Sequence, residues 1–182
     1  MQLNESNSKI HLMKKLITAA SLFLFPLFIF SQDITGLWKG TMYNDSTKKS
    51  LPYELLITKE KGKYSGLSYS WFLIGGEEYY GVKKVKVSVA KDGKVVIKDA
   101  SLIENNYPVS PDKNVSQLNV LDLVNNENEI SLDGPFVTNL TKRYWEATGH
   151  INIKRINTLL ESSSLMQYLQ KKGQGHEIAV VK

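Results

Sequence analysis

The residues whose types could support catalysis do not form a reactive arrangement in this sequence. Glu77 and Glu78 are adjacent, so they would face opposite ways in a strand, and the serine run 162–164 has no histidine or aspartate signature beside it. Asp122 interrupts an apolar run. A carboxylate inside a barrel would be a candidate base, but the alternation more often places such a residue outward. The alternation supplies no inward carboxylate or histidine, so we expect no catalytic residue and no enzymatic activity.

Histidine and cysteine limit the chemistry further. His150 shares its parity with Glu146 and Lys154 and is therefore predicted to face solvent. His176 lies in a glycine-rich segment with no second histidine at ligand spacing. The chain has no cysteine, which excludes disulfides, thiolate nucleophiles and zinc–cysteine sites. We expect neither a metal nor a cofactor.

Aromatic side chains give a better candidate site, in this case for binding. They flank the apolar connection Leu73-Ile74-Gly75-Gly76, whose double glycine is typical of a lid or mouth loop. A second interpretation stays open, in which Trp71 and Phe72 cap a barrel core and the tyrosines lie on the sheet surface. The candidate ligand-binding residues are Tyr69, Trp71, Phe72, Tyr79, Tyr80 and Trp145.

The elements that must position these residues follow from a period of two. In the segment 145–155, apolar residues share one parity and polar residues the other, and the same alternation recurs along the chain. Turn signals such as Asp92-Gly93 separate the runs. The pattern predicts eight strands, at 34–43, 51–59, 63–72, 79–90, 94–104, 117–124, 129–133 and 143–154.

Eight short strands joined mostly by tight turns predict an all-β fold, an antiparallel meander closed as a roughly eight-stranded barrel. The long connections, Leu73 to Tyr79 and Asn105 to Asn114, would then lie at the barrel mouth. After the last strand, spacing predicts a helix over 158–171 that packs on the outside of the sheet. Residues 177–182 are apolar enough for one more strand.

The start of the chain resembles a secretory signal peptide. Lys14 and Lys15 precede an apolar run over 16–30, and Ser31 is the small residue before polar sequence resumes. The run is shorter than the roughly 20 residues that cross a bilayer as a helix, so we expect no membrane span after signal removal. We assign 1–31 to the signal, with Met13 as the true start. Residues 32–155 would then form the barrel and 156–182 the C-terminal helix and tail.

Gly36-Leu37-Trp38 resembles the glycine-x-tryptophan signature of the lipocalins and their calycin relatives. In that family the tryptophan closes the bottom of the barrel and a late arginine packs across its ring. The resemblance implies the same structural roles for Gly36, Trp38 and Arg155. The same start is also similar to that of nitrobindin-like barrels, in which an inward histidine binds haem. The solvent-facing parity of His150 argues against a haem site here.

We therefore expect an exported, periplasmic or extracellular lipocalin-like monomer that binds a small apolar or amphipathic molecule in the barrel interior. The alternative is a ligand-free barrel or sandwich whose loops contact an envelope protein or a glycan. The small inward residues Ala147 and Gly149 beside Trp145 favour a hollow interior. The net charge of +5 is ordinary surface charge, so no nucleic-acid partner is expected.

Overall fold

A computed structural model describes residues 33–112, 114–126, 129–156 and 163–173 of the chain. Within these residues one helix, α1 (Ser164–Lys171), follows eight strands. The strands are β1 (Gly36–Asn44), β2 (Lys49–Glu60), β3 (Lys63–Ile74), β4 (Glu77–Val89), β5 (Val95–Asn105), β6 (Gln117–Asn126), β7 (Glu129–Thr138) and β8 (Thr148–Arg155).

The strands form a closed antiparallel barrel in which each strand pairs with its neighbours in sequence and β8 returns to β1. This confirms the predicted fold class. Short turns connect β1 to β2, β2 to β3, β3 to β4 and β4 to β5, and the predicted turn at Asp92-Gly93 is present with Gly93 at φ 87°. The turn between β3 and β4 contains Gly75 and Gly76 at φ 61° and 91°, a region that glycine adopts without a steric penalty.

Most element boundaries differ from the sequence prediction by one or two residues, and three differ by five or more. β8 begins at Thr148 rather than at 143, so Trp145 lies in the connection before the strand and not in it. β7 continues past Pro135 to Thr138, because its pairing with β8 runs through this proline while its pairing with β6 is interrupted at Gly134 and Pro135. α1 begins at Ser164, and the predicted positions 158–162 and 177–182 lie outside the described residues.

The meander topology gives the barrel two unlike ends. The β2–β3 and β4–β5 turns lie at one end, together with Trp38 near the start of β1 and Arg155 at the end of β8; we call it the closed end. The β1–β2, β3–β4, β5–β6 and β7–β8 connections lie at the other, the open end. Inward apolar side chains fill the closed half, and the largest of them are Trp38, Leu55, Ile57, Ile97, Leu121, Leu132, Ile151 and Ile153.

Small residues do not keep the interior hollow. A Cβ on Gly149 would meet the Tyr43 carbonyl oxygen and the ring of Phe136, so that space is already filled. Ala147 precedes β8 in the connection from β7. The expectation that these two residues leave room for a ligand was therefore wrong, because Phe136 from the neighbouring strand β7 packs over Gly149.

Helix α1 packs on the outer face of the barrel through Leu165, Met166 and Leu169, which contact a cluster that includes Leu56 and Val82. Burial of these side chains stabilises the docked helix by roughly 25 cal/mol per Å² of apolar surface removed from water. The outward position of the helix confirms the sequence prediction. Helix α1 also covers outer residues of β2, β3 and β4 that would otherwise be exposed.

The N-terminus of α1 is held by a fully buried carboxylate, that of Glu54 on β2. Glu54 Oε2 accepts hydrogen bonds from Ser163 Oγ at 2.6 Å and from the Leu165 backbone N–H at 2.9 Å, and Oε1 accepts one from the Ser164 N–H at 3.2 Å. Lys39 Nζ lies 3.6 Å from Oε1. A negative charge at this position also complements the positive end of the helix dipole.

Candidate functional site

The open end contains a split between β5 and β6. These strands pair only over Val95–Lys98 and Leu118–Leu121, although β5 continues to Asn105. Ala100 and Ile103 are extra residues in the pairing of β5 with β4, which makes two β-bulges. A bulge bends its strand and increases the local twist. Residues 99–105, which we call the upper half of β5, therefore diverge from β6. The β5–β6 connection covers the gap between the two strands.

A cavity of about 840 Å³ lies in this split. Its wall comes from the upper half of β5, the end of β3, one residue of β4, the β5–β6 connection and one residue of the β7–β8 connection. Most of this wall is apolar or aromatic, as in typical small-molecule sites. The side chains that define it best are Phe72, Ile74, Leu102, Tyr107, Val109 and Tyr144.

An ion pair between Lys83 and Asp99 is part of the cavity wall. Lys83 Nζ lies 2.5 Å from Asp99 Oδ2, and the same oxygen accepts the Gln117 backbone N–H at 3.0 Å. The Asp99 side chain is 13% exposed. The carboxylate thus replaces a backbone acceptor where the β5–β6 ladder ends, and it brings two charges against an otherwise largely apolar wall.

The expectation that the alternation supplies no inward carboxylate was wrong, because Asp99 is an inward carboxylate on β5. It shares the parity of Val95 and Ile97, both buried on β5, and Lys83 shares the parity of Val85 on β4. Both residues were missed because only the apolar runs were extended along these strands. The parity signal that would have found them is present in the sequence.

A buried polar network lies beside the ion pair. Gln117 Nε2 donates to Asn119 Oδ1 at 2.8 Å and contacts Met42 Sδ at 3.4 Å, and Asn119 Nδ2 donates to the Tyr53 hydroxyl at 3.5 Å. Burial and the nearby Asp99 charge raise the pKa of Tyr53 well above its ordinary value. These groups connect Asp99 to the apolar core, which includes Tyr53 and Met42.

The structure separates the predicted aromatic site residues into groups. Phe72 lines the cavity, with Tyr107 stacked on it at 5.7 Å between ring centroids and Tyr79 beside it at 5.9 Å. Tyr69 and Tyr80 instead stack on each other at 5.5 Å on the outer face against α1. Burial raises the pKa of Tyr69 to about 12.

Trp71 and Trp145 also differ from the prediction. Trp71 packs against the outer cluster and lines a second cavity of about 610 Å³ beside the β1–β2 turn. Trp145 is 88% exposed in the β7–β8 connection. Its predicted inward orientation was wrong, because the alternation of β8 does not extend before Thr148.

The closed end is organised around Trp38, which is fully buried. Its indole Nε1 donates to the Ile34 carbonyl at 3.1 Å, and the guanidinium carbon of Arg155 lies 4.8 Å from the ring centroid. Gly36 has φ 127°, and a Cβ on it would lie 3.7 Å from the Arg155 side chain. The positive φ favours glycine at this position, whereas 3.7 Å is an ordinary contact distance, so the arginine side chain would not exclude a Cβ.

No protein-family model matches this chain, and no curated protein matches it. Among the described residues no group of three or more acidic, histidine or cysteine side chains is placed to hold a metal ion. The same part of the chain contains no helix long and apolar enough to cross a membrane.

The remaining candidates from the sequence lie away from the cavity. Asp122 points outward and forms an ion pair with Lys94 at 2.5 Å. His150 is half exposed and lies 3.0 Å from Asp133, so its predicted outward orientation is confirmed. Glu77 and Glu78 are exposed at the start of β4. His176 lies outside the described residues.

Proposed function

We propose that this protein binds a small amphipathic molecule in the cavity at the open end of the barrel. The observation that carries the proposal is a cavity of about 840 Å³ whose largely apolar wall includes the Lys83–Asp99 ion pair. Its volume lies within the roughly 300–1,000 Å³ typical of small-molecule sites. The filled closed half of the barrel confines the ligand to the open end.

The wall chemistry indicates what kind of ligand fits. Apolar ligand surface would be buried against Phe72, Leu102 and Val109, which supplies most of the binding free energy at about 25 cal/mol per Å². Lys83 and Asp99 neutralise each other, so a ligand group that both donates and accepts hydrogen bonds matches them better than a second full charge. A hydroxyl or amide on an apolar body has this character.

The proposal includes a lipocalin-like identity and export. The contact of Arg155 with the Trp38 ring at the closed end supports the first, since the resemblance at Gly36-Leu37-Trp38 implies that pairing. The basic and apolar sequence over 14–30 supports the second. In this account the mature protein acts as a monomer in the periplasm or outside the cell.

Titration of a fluorescent hydrophobic probe tests the cavity directly. Ser101 lines it and is exposed, so Ser101→Trp fills part of the volume with an indole. We expect this variant to weaken probe binding at least about tenfold, since loss of one well-buried apolar contact corresponds to about 1.5–3 kcal/mol. The matched control is Ser88→Trp, at an exposed position near the closed end, which should bind the probe like the parent.

Two outcomes contradict the proposal. Either the parent protein fails to enhance probe fluorescence, or Ser101→Trp and Ser88→Trp bind the probe as tightly as the parent. Thermal unfolding of all three proteins establishes that they are folded during the titration.

A further inference from the structure

Exposed apolar side chains are concentrated at the open end of the barrel. We define the apolar rim as Leu73, Ile74, Val109, Leu140, Tyr144 and Trp145, which are between 41% and 88% exposed. They belong to the tip of the β3–β4 hairpin, the β5–β6 connection and the β7–β8 connection. An antiparallel meander brings these three connections to the same end, so residues far apart in sequence share one rim.

The closed end has the opposite character. Its β2–β3 and β4–β5 turns carry Lys61, Lys63, Lys91, Asp92 and Lys94. Among the described residues, the exposed large apolar side chains nearest that end are Val89 and Val124, at 44% and 37% exposure. The two ends of one barrel therefore differ in polarity, and solubility alone gives no reason for the apolar one. Concentrated exposed apolar surface marks an interaction site.

The residue types at the rim match a lipid surface. Leu73 and Ile74 are exposed at the tip of the β3–β4 hairpin and Leu140 is exposed in the β7–β8 connection, so two separate loops carry aliphatic side chains that can enter a bilayer. Tyr144 and Trp145 are residue types enriched at the level of lipid headgroups, where an aromatic ring is apolar at one end and wet at the other. Lys142 and Arg143 precede them, and side chains of this type can place their stems against apolar surface while their charges stay at the level of the headgroup phosphates.

The charges at this end nearly cancel. The described residues of the open-end connections and their margins include the acidic Asp45, Glu77, Glu78, Asp112 and Glu146 and the basic Lys48, Lys49, Lys142 and Arg143. A surface without a net basic excess has no preference for anionic lipids. Apolar burial is then the attraction, and its dependence on salt is small.

We propose that the apolar rim docks the open end of the barrel on the surface of a zwitterionic phospholipid bilayer. Ile74, Val109 and Tyr144 belong both to the rim and to the cavity wall. In the docked orientation the cavity opens toward the lipid, which is where an amphipathic molecule would be found. The docking itself depends on the rim and not on any occupant of the cavity.

Quenching of Trp145 by brominated phosphatidylcholine vesicles tests the docking in the full-length chain. The chain has three tryptophans, of which Trp38 is fully buried, and the Trp145→Phe variant supplies the background from the other two. We expect Trp145 emission to shift to the blue and to be quenched by the brominated acyl chains. The measurement reports contact of the rim with lipid, whatever else holds the chain at the vesicle.

Two matched variants show whether the quenching depends on the apolar rim. At lipid concentrations too low to saturate binding, Leu140→Asp should lower the quenching of Trp145 about tenfold or more. The reason is that a charged group replaces an apolar contact in the bilayer. Val89→Asp makes the same change at an exposed position near the opposite end and should quench like the parent. Raising the salt concentration should change the parent's quenching by less than about twofold.

Absence of Trp145 quenching above the Trp145→Phe background overturns the proposal, as does an equal loss in Leu140→Asp and Val89→Asp. Either result would favour a protein partner for the rim. Leu140 does not line the cavity, so Leu140→Asp should bind the hydrophobic probe like the parent. Failure of the docking and failure of ligand binding are therefore distinguishable.

Discussion

At the scale of single residues, the contact between Arg155 and Trp38 combines three features of the closed end. The ring is fully buried, the guanidinium lies over its face at 4.8 Å, and Gly36 beside the arginine stem adopts φ 127°. A cation over an indole contributes more when it is withdrawn from water than at an exposed site. The pair therefore stabilises the barrel where its first and last strands meet.

Arg155→Met keeps the stem over the ring and removes the charge. We expect the free energy of unfolding to fall by about 1–2 kcal/mol, measured by urea denaturation. The matched control is Lys59→Met, because Lys59 Nζ lies at the same distance, 4.8 Å, from the Tyr64 ring but on an exposed side chain. That change should cost less than about 0.5–1 kcal/mol. Equal effects of the two variants would contradict a closing role for Arg155.

The alternation of apolar and polar residues predicts the orientation of many of these side chains. Two errors show the limits of this pattern. Asp99 follows Val95 and Ile97 at the same parity, so its inward position was predictable and was overlooked. Trp145 has the parity of Ile151 and Ile153, yet it is exposed, because parity has meaning only where a strand is paired. Sequence spacing alone does not show where pairing begins.

At the scale of elements, α1 is fixed to the barrel by a carboxylate at each end. Glu54 holds its N-terminus. Glu104 on β5 accepts hydrogen bonds from the hydroxyls of Tyr80 at 3.0 Å and Tyr168 at 3.1 Å, and Lys172 Nζ lies 2.6 Å from it. No sequence pattern pairs β2 and β5 carboxylates with a helix more than fifty residues later, so this docking had no local signal.

The Glu104 contacts make docking of α1 sensitive to acid. The Lys172 ammonium and the Tyr80 hydroxyl hold the pKa of Glu104 below its ordinary value. A carboxyl whose pKa is lower in the folded than in the unfolded state adds stability above the unfolded value of about 4.3, and that stability is lost as the pH falls through the folded pKa. Stability should therefore decline in acid, partly through this group.

Comparison with Glu104→Gln isolates that contribution. At neutral pH the variant should be less stable than the parent in urea denaturation. The difference should begin to shrink below the unfolded value of about 4.3 and should be lost as the pH falls through the lowered pKa of Glu104, where the parent's carboxyl also becomes neutral. A difference that stays constant from neutral to acid pH would show that the ionised form of Glu104 does not stabilise the docked helix.

The split between β5 and β6 is the element-level feature that makes the cavity, and the sequence did not predict it. The boundaries of β5 were predicted to within one residue, but the bulges at Ala100 and Ile103 are visible only from the pairing with β4. A bulge depends on the partner strand as well as on its own residues. The predicted long connection over 105–114 did lie at the open end, where it covers the split.

At the scale of the whole molecule, the barrel is divided into a filled closed half and an open end with a cavity. Large apolar side chains fill the closed half, so the fold needs no ligand to complete its core. The cavity lies where pairing fails and where the rim is apolar. In our account the closed half gives stability, and the open end is available for binding.

The most direct test of this account is native mass spectrometry of the intact protein purified from its own host, followed by denaturation and extraction. We predict a stoichiometric small molecule that is lost on denaturation and is absent from Ser101→Trp. We also predict a protein mass equal to that of a chain that starts at Gln32. A ligand-free mass for the parent, with no difference from Ser101→Trp, would contradict the binding claim.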